Sequence, residues 1–186
     1  RRAHAHHNGS FVMKDGVDDE VMSAADNELT MAFSGGIRAL SSSTSTVGVH
    51  LPPGGNAWSV LSDRAVKENL TPVDVEDVLV RLLGVPIYRY NLKSQGASIQ
   101  HMGAVAQGFY AAFGLGKGER YIGGADVDGV LMAAVQALAQ RLQERDAELA
   151  RQRQELWDLK AEMADLKMRL ALLESFLAAI LTARQP

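Results

Sequence analysis

The sequence has 186 residues, of which 47% are apolar, and its formal net charge is −3. So small a charge predicts no nucleic-acid partner, and the absence of cysteine excludes disulfide bonds. No apolar run is long enough to cross a bilayer, so we predict no membrane span. The sequence begins at Arg1 and not at a methionine, and we expect it to be the C-terminal part of a longer protein.

Residues 1–57 are predicted to form short strands and turns. Apolar residues occur there in brief runs of alternating polarity, separated by Gly, Ser, Asn and Asp, which is typical of strands. These runs are too short to build a core within one chain, which favours packing against other copies. Residues 52–56, Pro-Pro-Gly-Gly-Asn, end the region. The runs lie at 11–13, 29–33, 37–40 and 47–51.

Three histidines near the start, His4, His6 and His7, raise the question of a metal site. No carboxylate or cysteine lies at ligand spacing from them. Alternation along a strand would also direct His7 to the face opposite His4 and His6. We therefore predict no metal site and no cofactor, and we expect these histidines to pack or to lie in exposed turns.

The second region, residues 58–128, contains a serine and a lysine five residues apart, Ser62 and Lys67. A neutral lysine amine can take the proton of a serine hydroxyl, and serine–lysine pairs are a known nucleophile–base arrangement. A solvated turn is the simpler interpretation of so short a pattern. Residues five apart on an α-helix point about 140° away from each other. Either the chain turns between Ser62 and Lys67, or the pair forms between subunits.

The remainder of the second region predicts a small mixed α/β domain. Two helices with glycine stops and two strands joined by a turn account for its pattern. His101 lies at the end of the returning strand, where a hydrogen bond to the backbone is the simpler interpretation and an auxiliary base the alternative. The predicted elements are a helix at 74–83, a strand at 86–92, a turn at 94–96, a strand at 99–102 and a helix at 104–113.

Residues 129–186 predict a coiled coil. Seam positions spaced by alternating threes and fours continue for seven heptads, and thirteen of these fifteen positions are apolar. The two polar positions, Arg145 and Gln152, are expected to fix register or oligomeric state, and the leucines alone do not distinguish two strands from three. The seam consists of Leu131, Val135, Leu138, Leu142, Arg145, Leu149, Gln152, Leu156, Leu159, Met163, Leu166, Leu170, Leu173, Leu177 and Ile180.

Two motifs in the second region resemble a known family. Residues 61–70, Leu-Ser-Asp-Arg-Ala-Val-Lys-Glu-Asn-Leu, resemble the intramolecular chaperone auto-processing domain at the C-termini of phage tail spikes, endosialidases and some bacterial surface proteins. Residues 101–107, which follow an aromatic strand containing Tyr88 and Tyr90, resemble a second motif of that family. Many relatives continue with an acidic residue where this chain has Gly-Phe at 108–109.

The resemblance implies both a partner and a function. A homotrimer would register and fold an upstream β-helical region of the same polypeptide and would then cut itself once. Ser62 would be the nucleophile and Lys67 the base, with Leu61 and Asp63 beside the scissile bond. The first dozen residues also resemble the last coil of the trimeric β-solenoid heads of bacterial adhesins. The protein would belong to a phage tail fibre or a bacterial cell surface.

The predicted fold class is α+β, with a short β-rich trimeric stalk, a small mixed α/β domain and a long C-terminal trimeric coiled coil. Of the bonds that flank Ser62, Leu61–Ser62 is favoured because attack on the preceding carbonyl forms a five-membered ring. Attack on the serine's own carbonyl would need a four-membered ring, although attack between subunits would leave both bonds open.

Two other functions remain open. One is a structural trimeric stalk that is never cut, and the other is a receptor-binding fibre tip. The sequence contains no aromatic cluster or paired carboxylates suited to sugar binding or hydrolysis, which disfavours the fibre tip.

Overall fold

The computed structural model describes residues 2–183, with side chains described up to residue 180. Arg1 and residues 184–186, at the ends of the first and third predicted regions, lie outside the described residues. The chain forms two compact units that divide between Pro72 and Val73. The fold is mixed α+β, with several small sheets and a long C-terminal helix. The finer division into three domains stays a prediction.

The first unit begins with four short strands that pair in parallel. β1 pairs with β3 and β2 pairs with β4, at an offset of 18 residues in both pairs. Parallel pairing of successive segments at a constant offset means that the chain completes one solenoid coil every 18 residues. The four strands are β1 (Arg2–His4), β2 (Phe11–Lys14), β3 (Glu20–Met22) and β4 (Leu29–Ala32).

Equivalent turns of the two coils stack on each other. Gly9 and Asn27 both have left-handed backbone conformations, with φ of 67° and 59°. Asn27 donates its backbone N–H to the Asn8 carbonyl at 2.9 Å, and a Cβ at position 9 would collide with the Asn27 side chain. Glycine and asparagine are the residues that tolerate this conformation, so the sequence matches the turn geometry at both positions.

Hydrogen bonds and ion pairs of charged side chains stabilise the turn that follows β2. Asp15 accepts hydrogen bonds from the backbone N–H and the hydroxyl of Ser34, both at 2.6 Å, and from the Val17 N–H at 3.1 Å. The Lys14 side chain, which is 3% exposed, forms ion pairs with Asp15 and Asp19. The hydrogen bonds from Ser34 are the main cause that lowers the pKa of Asp15 well below its usual range.

We expect this turn to weaken in acid. Because the pKa of Asp15 is lowered in the folded chain, its stabilisation is complete above the unfolded pKa of about 4. That stabilisation is lost as the pH falls towards the folded pKa. Hydrogen exchange of the Ser34 amide should therefore show less protection at pH 3 than at pH 7. Asp15→Asn should reduce this pH dependence.

The matched control is Asp18→Asn, because the contact that Asp18 makes among the described residues is a long, exposed ion pair with Arg2 at 3.8 Å. That variant should keep the wild-type pH dependence at Ser34. An equal pH effect in the Asp15→Asn variant would contradict the assignment.

The first unit ends in an antiparallel sheet. β6 lies between β5 and β7, with Ile37 opposite Leu51 and Val49 opposite Val60. Residues 52–56, which the sequence predicts to end the first region, lie in the connection between β6 and β7 of this one sheet. The strands are β5 (Ile37–Leu40), β6 (Gly48–Leu51) and β7 (Ser59–Val60).

The first unit contains very little buried apolar surface. Among the side chains that the structure describes, all seven buried apolar residues lie in the second unit. One face of the β2–β4 pair carries Phe11, Met13, Leu29 and Met31, which are 39–60% exposed. A single chain therefore gives this unit almost no apolar core, as its short apolar runs predict.

The second unit begins with helix α1 (Val75–Leu83). Asp74 caps it by accepting from the N–H groups of Glu76 and Asp77, and Gly84 ends it. These bounds agree with the predicted helix at 74–83 within one residue. Strong capping residues at both ends explain the agreement.

A hairpin and a second helix follow. β8 (Ile87–Tyr90) pairs antiparallel with β9 (His101–Ala104), and α2 (Ala106–Phe113) ends at Gly114 with φ of 63°. The returning strand starts two residues later than predicted, because Ile99 still donates to the Gly96 carbonyl within the turn. The helix α2 also starts two residues later, because Ala104 pairs with Ile87.

Helix α3 (Gly124–Ala183) is 60 residues long. α1 packs against its first turns, where Leu79 is 3% exposed and lies against Ala134 and Ala137. An ion pair between Arg141 and Glu76 extends this contact. Small alanine side chains let the two helices approach closely, which gives the second unit its core. Within residues 2–183, no helix is both long and apolar enough to cross a membrane.

The predicted seam lies beside the face that α1 covers and not on it. α1 covers the stripe with Val130, Ala134 and Ala137, each of which is one residue before a seam position. The thirteen apolar seam residues remain 47–64% exposed along the helix. An apolar stripe, interrupted at Arg145 and Gln152, is therefore open in the single chain.

Candidate functional site

The backbone before Ser62 is held as a strand. His50 lies opposite Ser59 and Val49 opposite Val60 in the antiparallel β6–β7 pair. One residue further on, Leu61 donates its N–H to the Gly48 carbonyl at 3.5 Å. The chain therefore reaches Ser62 in an extended conformation with a fixed register.

The chain after Ser62 makes a short 3₁₀ turn over Arg64–Val66. Val66 donates to the Asp63 carbonyl at 3.2 Å, and Lys67 donates to the Arg64 carbonyl at 3.1 Å. Lys67 itself is extended again, with φ of −115° and ψ of 142°. A tight turn between two extended residues reverses the direction of the chain locally.

This turn brings Ser62 and Lys67 together within one chain. Lys67 Nζ lies 2.7 Å from Ser62 Oγ. Of the two arrangements that the sequence left open, a turn between the residues is the one present in this chain. The 3₁₀ turn covers only Arg64–Val66, and the extended residues Asp63 and Lys67 on either side of it let the long lysine side chain reach the serine.

The pair has the geometry that a nucleophile and its base require. A general base must lie within about 2.6–3.2 Å of the atom whose proton it removes, and 2.7 Å satisfies this. Both residues are exposed to solvent in the single chain. Catalysis requires the neutral amine, and burial is the usual way to favour the neutral form of a lysine.

The residue after Lys67-Glu68 also matches the local geometry. Asn69 has a left-handed conformation with φ of 54°, which asparagine adopts more easily than most residues. The asparagine of the Lys-Glu-Asn motif therefore has a backbone role at the point where the chain leaves the site.

His101, the proposed auxiliary base, lies in the second unit. Its Nε2 is 2.7 Å from Gln95 Oε1, and its ring lies 5.5 Å from the Tyr90 ring. The sequence favoured a hydrogen bond from His101 to the backbone. The structure instead shows a side chain, Gln95, as the partner. These contacts hold the ring within its own hairpin.

The three N-terminal histidines make contacts within the solenoid coils. The rings of His4 and His6 stack at 5.3 Å, and His7 Nδ1 lies 2.9 Å from Ser23 Oγ. The Ser23 hydroxyl also accepts the backbone N–H groups of His6 and His7. His4 and His6 therefore lie on the same side of the chain, although β1 ends at His4 and His6 is not part of the strand.

A family model described as chaperone of endosialidase matches residues 62–114. Over these residues, the match bears out the predicted resemblance to the intramolecular chaperone family. The matched residues of the chaperone of endosialidase family start at Ser62 and end at Gly114, which terminates α2. No curated protein and no solved structure matches the chain.

The match to the chaperone of endosialidase family includes both members of the Ser62–Lys67 pair and the β8–β9 hairpin. It lies outside the strands of the first unit and outside α3. The family description names a chaperone, and the name of the family model denotes a peptidase. The match therefore favours a chaperone role connected with peptidase chemistry.

Sequence reasoning missed two groups that organise this site. Asp63 was expected only to adjoin the cut, yet its carboxylate accepts the Ala65 N–H at 2.8 Å. Gly48 was not considered, although its carbonyl accepts the Leu61 N–H. An aspartate two residues before a backbone N–H is a recognised turn signal, so the first was detectable in principle. The second depends on strand register, which the sequence leaves unspecified.

Proposed function

We propose that this chain is a C-terminal intramolecular chaperone that forms a homotrimer, registers an upstream β-rich fibre of the same polypeptide and then cuts itself once at Ser62. The observation that carries the proposal is the 2.7 Å contact between Ser62 Oγ and Lys67 Nζ within the matched family residues. A phage tail fibre or a bacterial surface protein is the setting in which such a function is needed.

The exposed seam of α3 supports the assembly step. Thirteen apolar residues at heptad spacing are about half exposed in the single chain. Burying one such side chain stabilises by about 1.5–3 kcal/mol when the burial is complete, so association along the whole stripe is strongly favoured. Three parallel copies are proposed on the basis of the family resemblance, because the seam residues alone do not select the number.

The first unit supports the chaperone step. Its β2–β4 face presents Phe11, Met13, Leu29 and Met31 to solvent, and partner chains would cover these residues. Intertwined β-structure depends on non-local contacts, so its nucleation is slow and prone to aggregation. A coiled coil made of local contacts raises the effective concentration of the three chains, so their strands can meet in register.

The proposed cut proceeds through an acyl shift. The neutral Lys67 amine takes the hydroxyl proton of Ser62 while Oγ bonds to the Leu61 carbonyl carbon. The bond from that carbon to the Ser62 nitrogen then breaks, and the nitrogen accepts a proton from Lys67, which leaves an ester. Water hydrolyses the ester and returns a proton to Oγ. One water is consumed, and the products carry a Leu61 carboxylate and a Ser62 amine.

Assembly would also control the timing of the cut. A neighbouring subunit that covers Ser62 and Lys67 would favour the neutral amine by desolvation. Cleavage would therefore follow trimerisation, and its rate would be first order in assembled trimer. Once cut, the fibre cannot return to its assembly scaffold and persists for kinetic reasons.

We expect the chain to be a parallel trimer at micromolar concentration, because an open seam of this length favours association and the family resemblance gives three as the number of chains. Sedimentation equilibrium measures the mass directly. A trimer mass is the expected result. A monomer mass would contradict both the coiled coil and the chaperone function.

A structural trimerisation stalk that is never cut is the second candidate. The observation in its favour is that Ser62 and Lys67 are exposed, whereas most serine–lysine sites need a desolvated amine. The intact mass of the purified trimer distinguishes the two functions, because only the self-cutting protein yields two pieces.

A further inference from the structure

The proposed scissile peptide Leu61–Ser62 lies between strand β7 and the 3₁₀ turn, and backbone hydrogen bonds fix the conformation of both. On one side, β7 pairs with β6, and Leu61 donates its N–H to Gly48. On the other side, the 3₁₀ turn begins at Arg64. The strand side is held by backbone hydrogen bonds, and on the turn side a side chain contributes as well.

That side chain is Asp63. Its Oδ1 accepts the Ala65 N–H at 2.8 Å, while its backbone is extended with φ of −68° and ψ of 139°. These are the features of a residue that caps a helical turn. None of the residues in the turn is buried, so packing contributes little to its shape.

A turn of only three residues is weak without such a cap. It has too few backbone hydrogen bonds to be stable by itself. The direction in which the backbone leaves the turn determines where the Lys67 side chain starts. Its four-carbon stem is flexible and carries considerable rotamer freedom, so loss of the turn would disperse the amine over many positions.

We propose that Asp63 is a positioning residue for self-cleavage, whose carboxylate caps the turn that returns Lys67 to Ser62. This inference rests on the proposed function, because it concerns the same cut. Asp63 acts through the backbone and takes no proton from the reacting atoms. Its negative charge is not what the reaction uses, and an uncharged side chain with the same acceptor oxygen can replace it.

Two substitutions of Asp63 distinguish the effect of its capping hydrogen bond from the effect of its negative charge. Asparagine caps a helical turn about as well as aspartate, whereas alanine does not. Asp63→Asn should therefore cut within about twofold of the wild-type rate, and Asp63→Ala should cut about fivefold more slowly. The rate constant is measured from the appearance of the two pieces in purified trimer at several pH values.

The pH profile distinguishes positioning from a role in proton transfer. If Asp63 only caps the turn, Asp63→Ala lowers the rate by the same factor at every pH, and Asp63→Asn keeps the wild-type profile. Glu68→Ala is the matched control, since it removes a carboxylate next to Lys67 that makes no hydrogen bond in the described part of the chain. It should cut at the wild-type rate.

A readout without cleavage comes from hydrogen exchange in the uncut Ser62→Ala background. The Ala65 amide should keep its protection with Asp63→Asn and lose it with Asp63→Ala. Equal rates for wild type and Asp63→Ala, or equally slow Asn and Ala variants, would overturn the capping role while self-cleavage stands. A wild-type trimer that never cuts would instead refute the proposed function, and the positioning role with it.

Discussion

Ser62→Ala and Lys67→Ala should each leave the chain uncut, while the trimer still forms. The first change removes the nucleophile, and the second removes the base that lies 2.7 Å from it. When two residues act as one unit, the loss of either removes most of the acceleration, by about a thousandfold or more. Intact mass and sedimentation of the same samples measure both outcomes.

Lys67→Arg is the sharper control for the base. It keeps the positive charge and a long side chain, but a guanidinium stays protonated and cannot accept the serine proton. It should therefore remain uncut, while the wild-type rate should rise with pH because only the neutral amine acts as a base. Continued cutting of purified Ser62→Ala protein at the same bond would exclude this pair as the catalytic group.

The second large effect should follow from removal of most of α3, which is proposed to form a coiled coil. Removing residues 129–186 should leave the first unit misfolded, because no apolar residue among its described side chains is buried in the single chain. Proteolysis and cooperative melting of the truncated chain measure this loss. A stable, cooperatively melting fold formed by residues 1–57 alone would contradict the assembly role.

Truncation also removes the α3 residues that pack on α1, so point variants isolate the seam more cleanly. Leu156→Asp combined with Leu159→Asp places two charges on the seam, far along the helix from α1. This variant should sediment as monomer and should remain uncut. Trp157→Asp is the matched control, because Trp157 lies off the seam and is 74% exposed. It should remain a trimer.

Local sequence signals predicted the elements with strong boundaries. α1 begins after the cap Asp74, and α2 ends at the left-handed Gly114, because side-chain capping and left-handed glycine are encoded in single residues. The start of β9 was less well defined, since the turn before it extends to Ile99 through one backbone hydrogen bond.

Strand pairing and helix packing, which depend on residues far apart in the sequence, could not be predicted from such local signals. The 18-residue offset of β1–β3 and β2–β4 depends on which strands meet, and short alternating runs permit several registers. The heptad pattern predicted a stripe on α3, but it did not indicate that α1 would cover the neighbouring stripe at Ala134 and Ala137. Which stripe of α3 is covered by α1 depends on how the surfaces of the two helices fit together.

At the site, the sequence predicted the residues Ser62 and Lys67 but not the 3₁₀ turn that brings them together. Ser62 and Lys67 were identifiable by type and by the family motif, and helix geometry left either a turn between them or a pairing between subunits. The 3₁₀ turn itself is three residues long, too short for periodicity to detect. Its cap at Asp63 matches a known aspartate turn signal, but the bond to the Ala65 N–H is what identifies it.

The most direct test of the account is the intact mass of freshly purified wild-type protein, measured on the trimer fraction. The account predicts two pieces, residues 1–61 and residues 62–186, that arise at a rate independent of protein concentration once the trimer has formed. A trimer that consists only of full-length chains, and stays so on prolonged incubation at alkaline pH, would contradict self-cleavage at Ser62.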